Sequence, residues 1–150
     1  MATKLAIVLI HRRQKTRRKL IQAIYQWLMN QDSTTESLIR QFWSQHGSLK
    51  NTDKEFFQKV LDTILNDTKT ITDNFVDIVD IPFKHLDPVE KAILLLASYE
   101  LEYEKNTPSA VITNEAIDLA KLYGAEQSHK FINATLDKAA KIIRKNEKTK

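Results

Sequence analysis

The sequence predicts an all-α protein, a compact helical domain of about six to seven helices in two packed subdomains of three to four helices each. Three observations carry this. Gly47, Gly124, Pro82, Pro88 and Pro108 are the only glycines and prolines in 150 residues, too few for the many tight turns of a β-protein. Apolar residues recur at the i, i+3, i+4, i+7 spacing of a helix face along most of the chain. Helix-start and helix-stop signals stand between those stretches. The length suits one domain with a real core, and no cysteine is present to staple it.

Residues 1–11 read as an apolar lead-in. Its run Leu5–Ile10 is six residues long. A membrane span needs roughly 20 apolar residues and a signal-peptide core about 7–15. The run therefore reads as a segment that packs, and the chain as cytoplasmic with no membrane partner.

Residues 12–81 form the expected N-terminal subdomain. Its first helix runs to about Asn30, with Leu20, Ile24, Trp27 and Leu28 on the inward stripe. Arg13 and Arg17 extend that stripe backwards. Arginine is a poor core residue, so this end is expected to project from the body or to be unwound before a partner binds. Ser33 and Glu36 have the spacing of a capping box that opens a second helix, with Gly47 as its stop. Thr52 and Glu55 repeat the box ahead of Phe56, Val60, Leu61, Ile64 and Leu65. The stripe continues weakly through Ile71, Phe75, Ile78 and Val79, as one long helix or two, and Pro82 ends it.

Residues 87–144 form the expected C-terminal subdomain. Asp87-Pro88-Val89-Glu90 reads as N-cap, N1 proline and acidic first turn. Ala92–Ala97 is apolar all round, as in a helix surrounded by neighbours. Pro108 introduces a further helix with Ile112, Ala116, Leu119, Ala120 and Tyr123, closed by Gly124. A last helix from about Glu126 to Arg144 turns Ile132, Leu136, Ala139 and Ile143 inward. Residues 145–150 form a polar tail. The two subdomains are expected to share one body.

Charge supplies the functional signal. Six of the nine residues from His11 to Lys19 are basic: Arg12, Arg13, Lys15, Arg17, Arg18 and Lys19. No acidic residue precedes Asp32, although the whole chain is only +4. A one-sign block at one end points to a polyanion. Such a segment binds phosphates through counterion release, and arginine-rich segments bind RNA. The bland alternative is a solvated basic helix end, but solvated surfaces usually mix signs. Tyr25, Trp27, Tyr123 and Phe131 are aromatics that could stack on bases. Trp27 reads as core, whereas Phe131 sits at the edge of an inward face, near a helix start whose amides can hold phosphate.

Catalytic signals are weak. His11, His46, His85 and His129 do not pair at i+3 or i+4. Glu100 with Glu104, and Glu115 with Asp118, are ordinary solvated-face pairs. No enzyme, metal or cofactor is expected.

The C-terminal half carries Pro88-Val-Glu-Lys-Ala-Ile-Leu with Tyr99-Glu-Leu. It continues with Val111-Ile-Thr-Asn-Glu-Ala-Ile-Asp-Leu-Ala-Lys-Leu-Tyr-Gly124, Ser128-His-Lys-Phe-Ile-Asn133 and Leu136-Asp-Lys138. Near the N-terminus stands Arg17-x-x-Leu-Ile-Gln-Ala-Ile-Tyr25. In this order and spacing the segments resemble the NusB family of bacterial transcription antitermination factors, from about Arg12 to Arg144. The resemblance implies an RNA-binding protein that recognises the boxA element of ribosomal RNA leader transcripts. Its implied partners are single-stranded boxA-type RNA, the small-subunit ribosomal protein that acts as NusE, and the RNA polymerase elongation complex with other Nus factors. It implies RNA contacts for the basic block, and for Gln127, Lys130 and Phe131. Tyr25 and Glu90 match positions near the partner surface. Ala134 stands where the family commonly has glycine.

Two other functions remain open at this point. A similar helical domain fronts ribosomal RNA cytosine methyltransferases, but residues 1–150 show no strand–helix alternation and no cofactor loop. A helical protein-interaction module with an incidental basic end is the other. Phe131→Ala separates a stacking role from a core role. Stacking predicts a loss of about 1–3 kcal/mol in RNA binding, whereas unchanged binding with lowered thermal stability marks a core residue.

Overall fold

The computed structural model describes residues 3–44 and 49–145. The expected stop at Gly47 and the tail from residue 146 lie outside them. Among the described residues there are seven α-helices, one 3-10 turn and no strand, which bears out the all-α expectation. Two compact units are formed, Met1–Asn66 and Asp67–Lys150.

In the first unit, α1 spans Lys4–Met29, α2 Thr35–Ser44 and α3 Lys54–Asn66. The lead-in is helical: Thr3 caps α1, its Oγ1 accepting the Ala6 N–H at 3.0 Å. Leu5, Ile7, Val8, Leu9 and Ile10 stay exposed. The inward stripe of Leu20, Ile24 and Trp27 is buried as expected. α1 and α2 both pack on α3, which contributes Phe56, Phe57, Val60, Leu61 and Ile64. The Phe42 and Phe57 rings meet 5.7 Å apart. Reciprocal amide hydrogen bonds between Gln26 and Gln41 tie α1 to α2, at 2.6 and 3.0 Å.

Both expected capping boxes are shifted by one residue. Thr34, not Ser33, caps α2. Its Oγ1 accepts from the Ser37 N–H, and its own N–H donates to Ser37 Oγ, each at 3.0 Å. At α3 the cap is Asp53, whose Oδ1 accepts the Phe56 N–H at 3.0 Å. The Thr52 hydroxyl donates back to the Leu49 carbonyl instead. Adjacent Ser, Thr and Asp residues compete for the same orphan amides, and the chain's approach to the helix decides between them.

In the second unit, α4 spans Thr68–Thr72, a 3-10 turn covers Phe83–His85, and α5, α6 and α7 span Pro88–Tyr103, Ser109–Tyr123 and Ser128–Ile143. The boundary between units thus falls ahead of α4, not at Pro82. Asn74 explains this: its Nδ2 donates to Ser98 Oγ at 2.7 Å and to Glu102 Oε1 at 3.0 Å, both on α5. Phe75 and Phe83 stack within the same segment at 6.1 Å. Asp87 caps α5 as expected, its carboxylate accepting the Glu90 N–H at 3.3 Å. Ala92 to Leu101 are all buried, and α5 packs against α4, α6 and α7. Ala134 is exposed on α7, so its methyl group meets solvent.

Arg144 closes this unit. Its guanidinium donates to the carbonyls of Glu100, Leu101, Glu104 and Thr107. These acceptors lie at the end of α5 and in the turn to α6, and the Glu100 and Glu104 carbonyls also accept the backbone N–H groups of Glu104 and Thr107.

Gly124 ends α6 with φ −89°, a backbone any residue adopts, so its freedom is not the reason it stands there. A Cβ would lie 2.8 Å from both the Ala120 carbonyl oxygen and Ser128 Cβ. The α6–α7 turn is therefore closed too tightly for a methyl group. Gly124→Ala is expected to destabilise the protein by about 1–3 kcal/mol, read as a lower urea midpoint with helical content retained.

Candidate nucleic-acid interface

The basic block occupies the third to fifth turns of α1, and the helix sorts it by direction. The i, i+4, i+7 stripe of Leu20, Ile24 and Trp27 continues back through Arg17 and Arg13. Arg17 is only 5% exposed. Arg13 is half-buried; its Nη2 lies 3.1 Å from Asp53 Oδ2, and its guanidinium carbon sits 3.7 Å from the Phe56 ring centroid. The turns that carry Arg13 and Arg17 are therefore neither unwound nor projecting, whereas the Leu5–Ile10 run ahead of them is largely exposed and does not pack as expected. The two arginines are accommodated because apolar stems pack while the guanidinium finds partners.

Asp53 is the hub. One carboxylate oxygen caps α3 and the other takes Arg13. Its N–H donates to Thr16 Oγ1 at 2.8 Å, and the Thr16 hydroxyl donates to the Arg12 carbonyl at 2.7 Å. Lys15 reaches the Lys50 carbonyl at 2.8 Å. Arg12 is exposed, Arg18 and Lys19 are partly so, and none of the three makes a side-chain ion pair among the described residues. They form the open cationic face of α1. Tyr25, on the same helix, is 40% exposed.

In the second unit, Gln127 and Lys130 are exposed at the start of α7, and Phe131 is half-buried beside fully buried Ile132. Ser128 Oγ accepts the Ala125 N–H at 3.1 Å and donates to Glu90 Oε2 at 2.8 Å. Glu90 is thereby joined to the first turn of α7, one residue from Gln127. No group of three or more potential metal-ligating His, Cys, Asp or Glu residues occurs among the described residues. No helix among them is long and apolar enough to cross a membrane.

The NusB family model matches residues 14–141. The chain belongs to the NusB family. It is 40% identical over 137 residues to the transcription antitermination protein NusB of Hydrogenovibrio crunogenus, covering 91% of this chain and 84% of that protein. A protein of the same description from Aromatoleum aromaticum is 40% identical over 135 residues, covering 90% and 92%. The solved structure of T. maritima NusB superposes with a TM-score of 0.78 at 30% identity, covering 89% of this chain and 94% of that one. NusB membership thus agrees in sequence and in fold.

Sequence reasoning missed Asp53 and Thr16. The signal available was an aspartate three residues before Phe56, which the competing Thr52–Glu55 spacing obscured. Asp53→Ala is expected to remove both the cap and the ion pair, costing about 1–2 kcal/mol. Asp53→Asn keeps a capping oxygen and is expected to cost less than half of that. Urea denaturation of the two variants separates the contributions.

Proposed function

We propose that this NusB-family protein is an RNA-binding transcription antitermination factor acting without catalysis of its own. On this reading it binds the boxA element of ribosomal RNA leader transcripts together with the ribosomal protein acting as NusE. The complex joins RNA polymerase and supports read-through in ribosomal RNA operons. The single observation that carries the RNA part is the open cationic face of Arg12, Arg18 and Lys19, in a stretch of 31 residues with no acid. The description borne by the similar proteins supports the antitermination part.

The cations have different roles on this reading. Arg12, Arg18 and Lys19 meet phosphates directly, with Lys15 beside them. Arg13 and Arg17 set the position of the segment. Backbone contacts give affinity without sequence, so selectivity falls to Gln127, Lys130 and Phe131 and to the ribosomal partner. Tyr25 and Glu90 are the positions proposed for that partner. A cytoplasmic site of action follows from this role.

The test is binding to boxA-type single-stranded RNA and to a scrambled strand, with and without the ribosomal protein, across salt concentrations. Preference for boxA with the partner present supports the reading, and equal affinity for both strands overturns its sequence-specific part. Replacing Arg12 and Lys19 with Ala is expected to flatten the salt slope by about 0.7 per lost phosphate contact, with the urea midpoint unchanged. Arg13→Ala is expected to lower that midpoint as well.

A further inference from the structure

The end of α2 and the residues ahead of α3 open a cleft of about 410 Å³ lined by Trp43, Leu49, Lys50, Asn51 and Lys54. Leu49 is buried, whereas Trp43 is 51% exposed. Lys54 Nζ stands 5.8 Å from the centroid of the Trp43 ring. Asn51 holds a φ of 60°, the left-handed conformation that Asn tolerates better than most residues. It turns the chain sharply at the rim.

This cleft is fastened to the basic segment of α1. Lys15 bonds the Lys50 carbonyl, Thr16 accepts the Asp53 N–H, and Arg13 pairs with the Asp53 carboxylate. The cleft residues 50–54 are thus held against the turns that carry the open cations. Asp53 is already engaged by Arg13 and by the α3 cap, Glu55 beside Lys54 is exposed, and among the described residues the lining contains two lysines and no acid.

We propose that this cleft is a base-binding pocket for single-stranded RNA, with Trp43 as the stacking platform and Lys50 and Lys54 as contacts to the flanking phosphates. The proposal rests on the RNA-binding reading above and adds a site to it. An aromatic face beside a cationic track is what single-strand binding needs, and unpaired RNA supplies bases free to leave their own stack. The volume is within the range of small-ligand sites. Lys54 covers the ring in the free protein. Its flexible stem lets the ammonium move to a phosphate when a base takes its place. Stacking is tolerant of base identity, so this pocket contributes affinity and register.

The experiment measures binding of a boxA-type single-stranded RNA oligonucleotide to the full chain by titration, with tryptophan emission as a second readout. Trp27 is buried in the core, so stacking quenches chiefly the exposed Trp43. Trp43→Ala is expected to weaken binding roughly 5- to 100-fold without changing the urea midpoint. Trp43→Phe is expected to recover most of that affinity while losing the quench. Parent-level affinity in Trp43→Ala overturns the pocket and leaves the RNA reading standing. Equal losses in the Ala and Phe variants also overturn it, because a stacking platform accepts phenylalanine. Failure of the parent protein to bind RNA at any salt concentration overturns both.

Discussion

The carboxylate of Asp53 fixes where the first unit's helices meet. One oxygen starts α3, and the other holds Arg13 of α1. Neither interaction is large. A cap contributes about 1 kcal/mol and a partly exposed ion pair no more than about that. Their value is geometric, since a single residue fixes the start of one helix against a chosen turn of another. The Thr16 hydroxyl and the Phe56 ring complete the same junction. The basic segment of α1 is therefore held in register before any partner arrives, and less ordering entropy is lost on binding than for a disordered arginine-rich arm.

That junction also divides the positive charge by role. Arg13 and Arg17 lie on the inward stripe, and Arg12, Arg18 and Lys19 lie off it. The same helical period that buries Leu20 and Ile24 makes the sorting. A cluster that looks uniform in one dimension becomes two sets in three. In the second unit Glu90 and Ser128 make a comparable junction, where an acid on α5 meets the first residue of α7. Two residues proposed for different ligands, Glu90 and Gln127, are thus linked through one side-chain bond and one peptide.

The helical fold was legible because its signals are local. Stripes, the N1 proline at Pro88 and the all-apolar run of α5 each act within a few residues. The shifted caps show the limit of such signals: Ser33, Thr34, Thr52 and Asp53 are all competent caps, and the incoming chain selects among them. The inward arginines were misread for a different reason. Burial of Arg13 depends on Asp53 and Phe56, which lie far along the sequence on another helix, and composition alone treats arginine as a surface residue. The assignment of residues 67–81 to the second unit rests likewise on distant partners on α5, where Ser98 and Glu102 accept from Asn74 and Ser98 donates to the Ile71 carbonyl. The cleft at Trp43 left no sequence pattern, since its lining comes from a helix end and a turn.

The guanidinium of Arg144 has a consequence for how this lineage can vary. Its acceptors include the carbonyls of Glu104 and Thr107, in the connection between α5 and α6. Surface connections usually tolerate added or lost residues. Here an insertion between positions 104 and 107 would pull one of those carbonyls out of reach and leave buried donors unpaired. The length of a short exposed turn is therefore set by a side chain at the far end of the last helix.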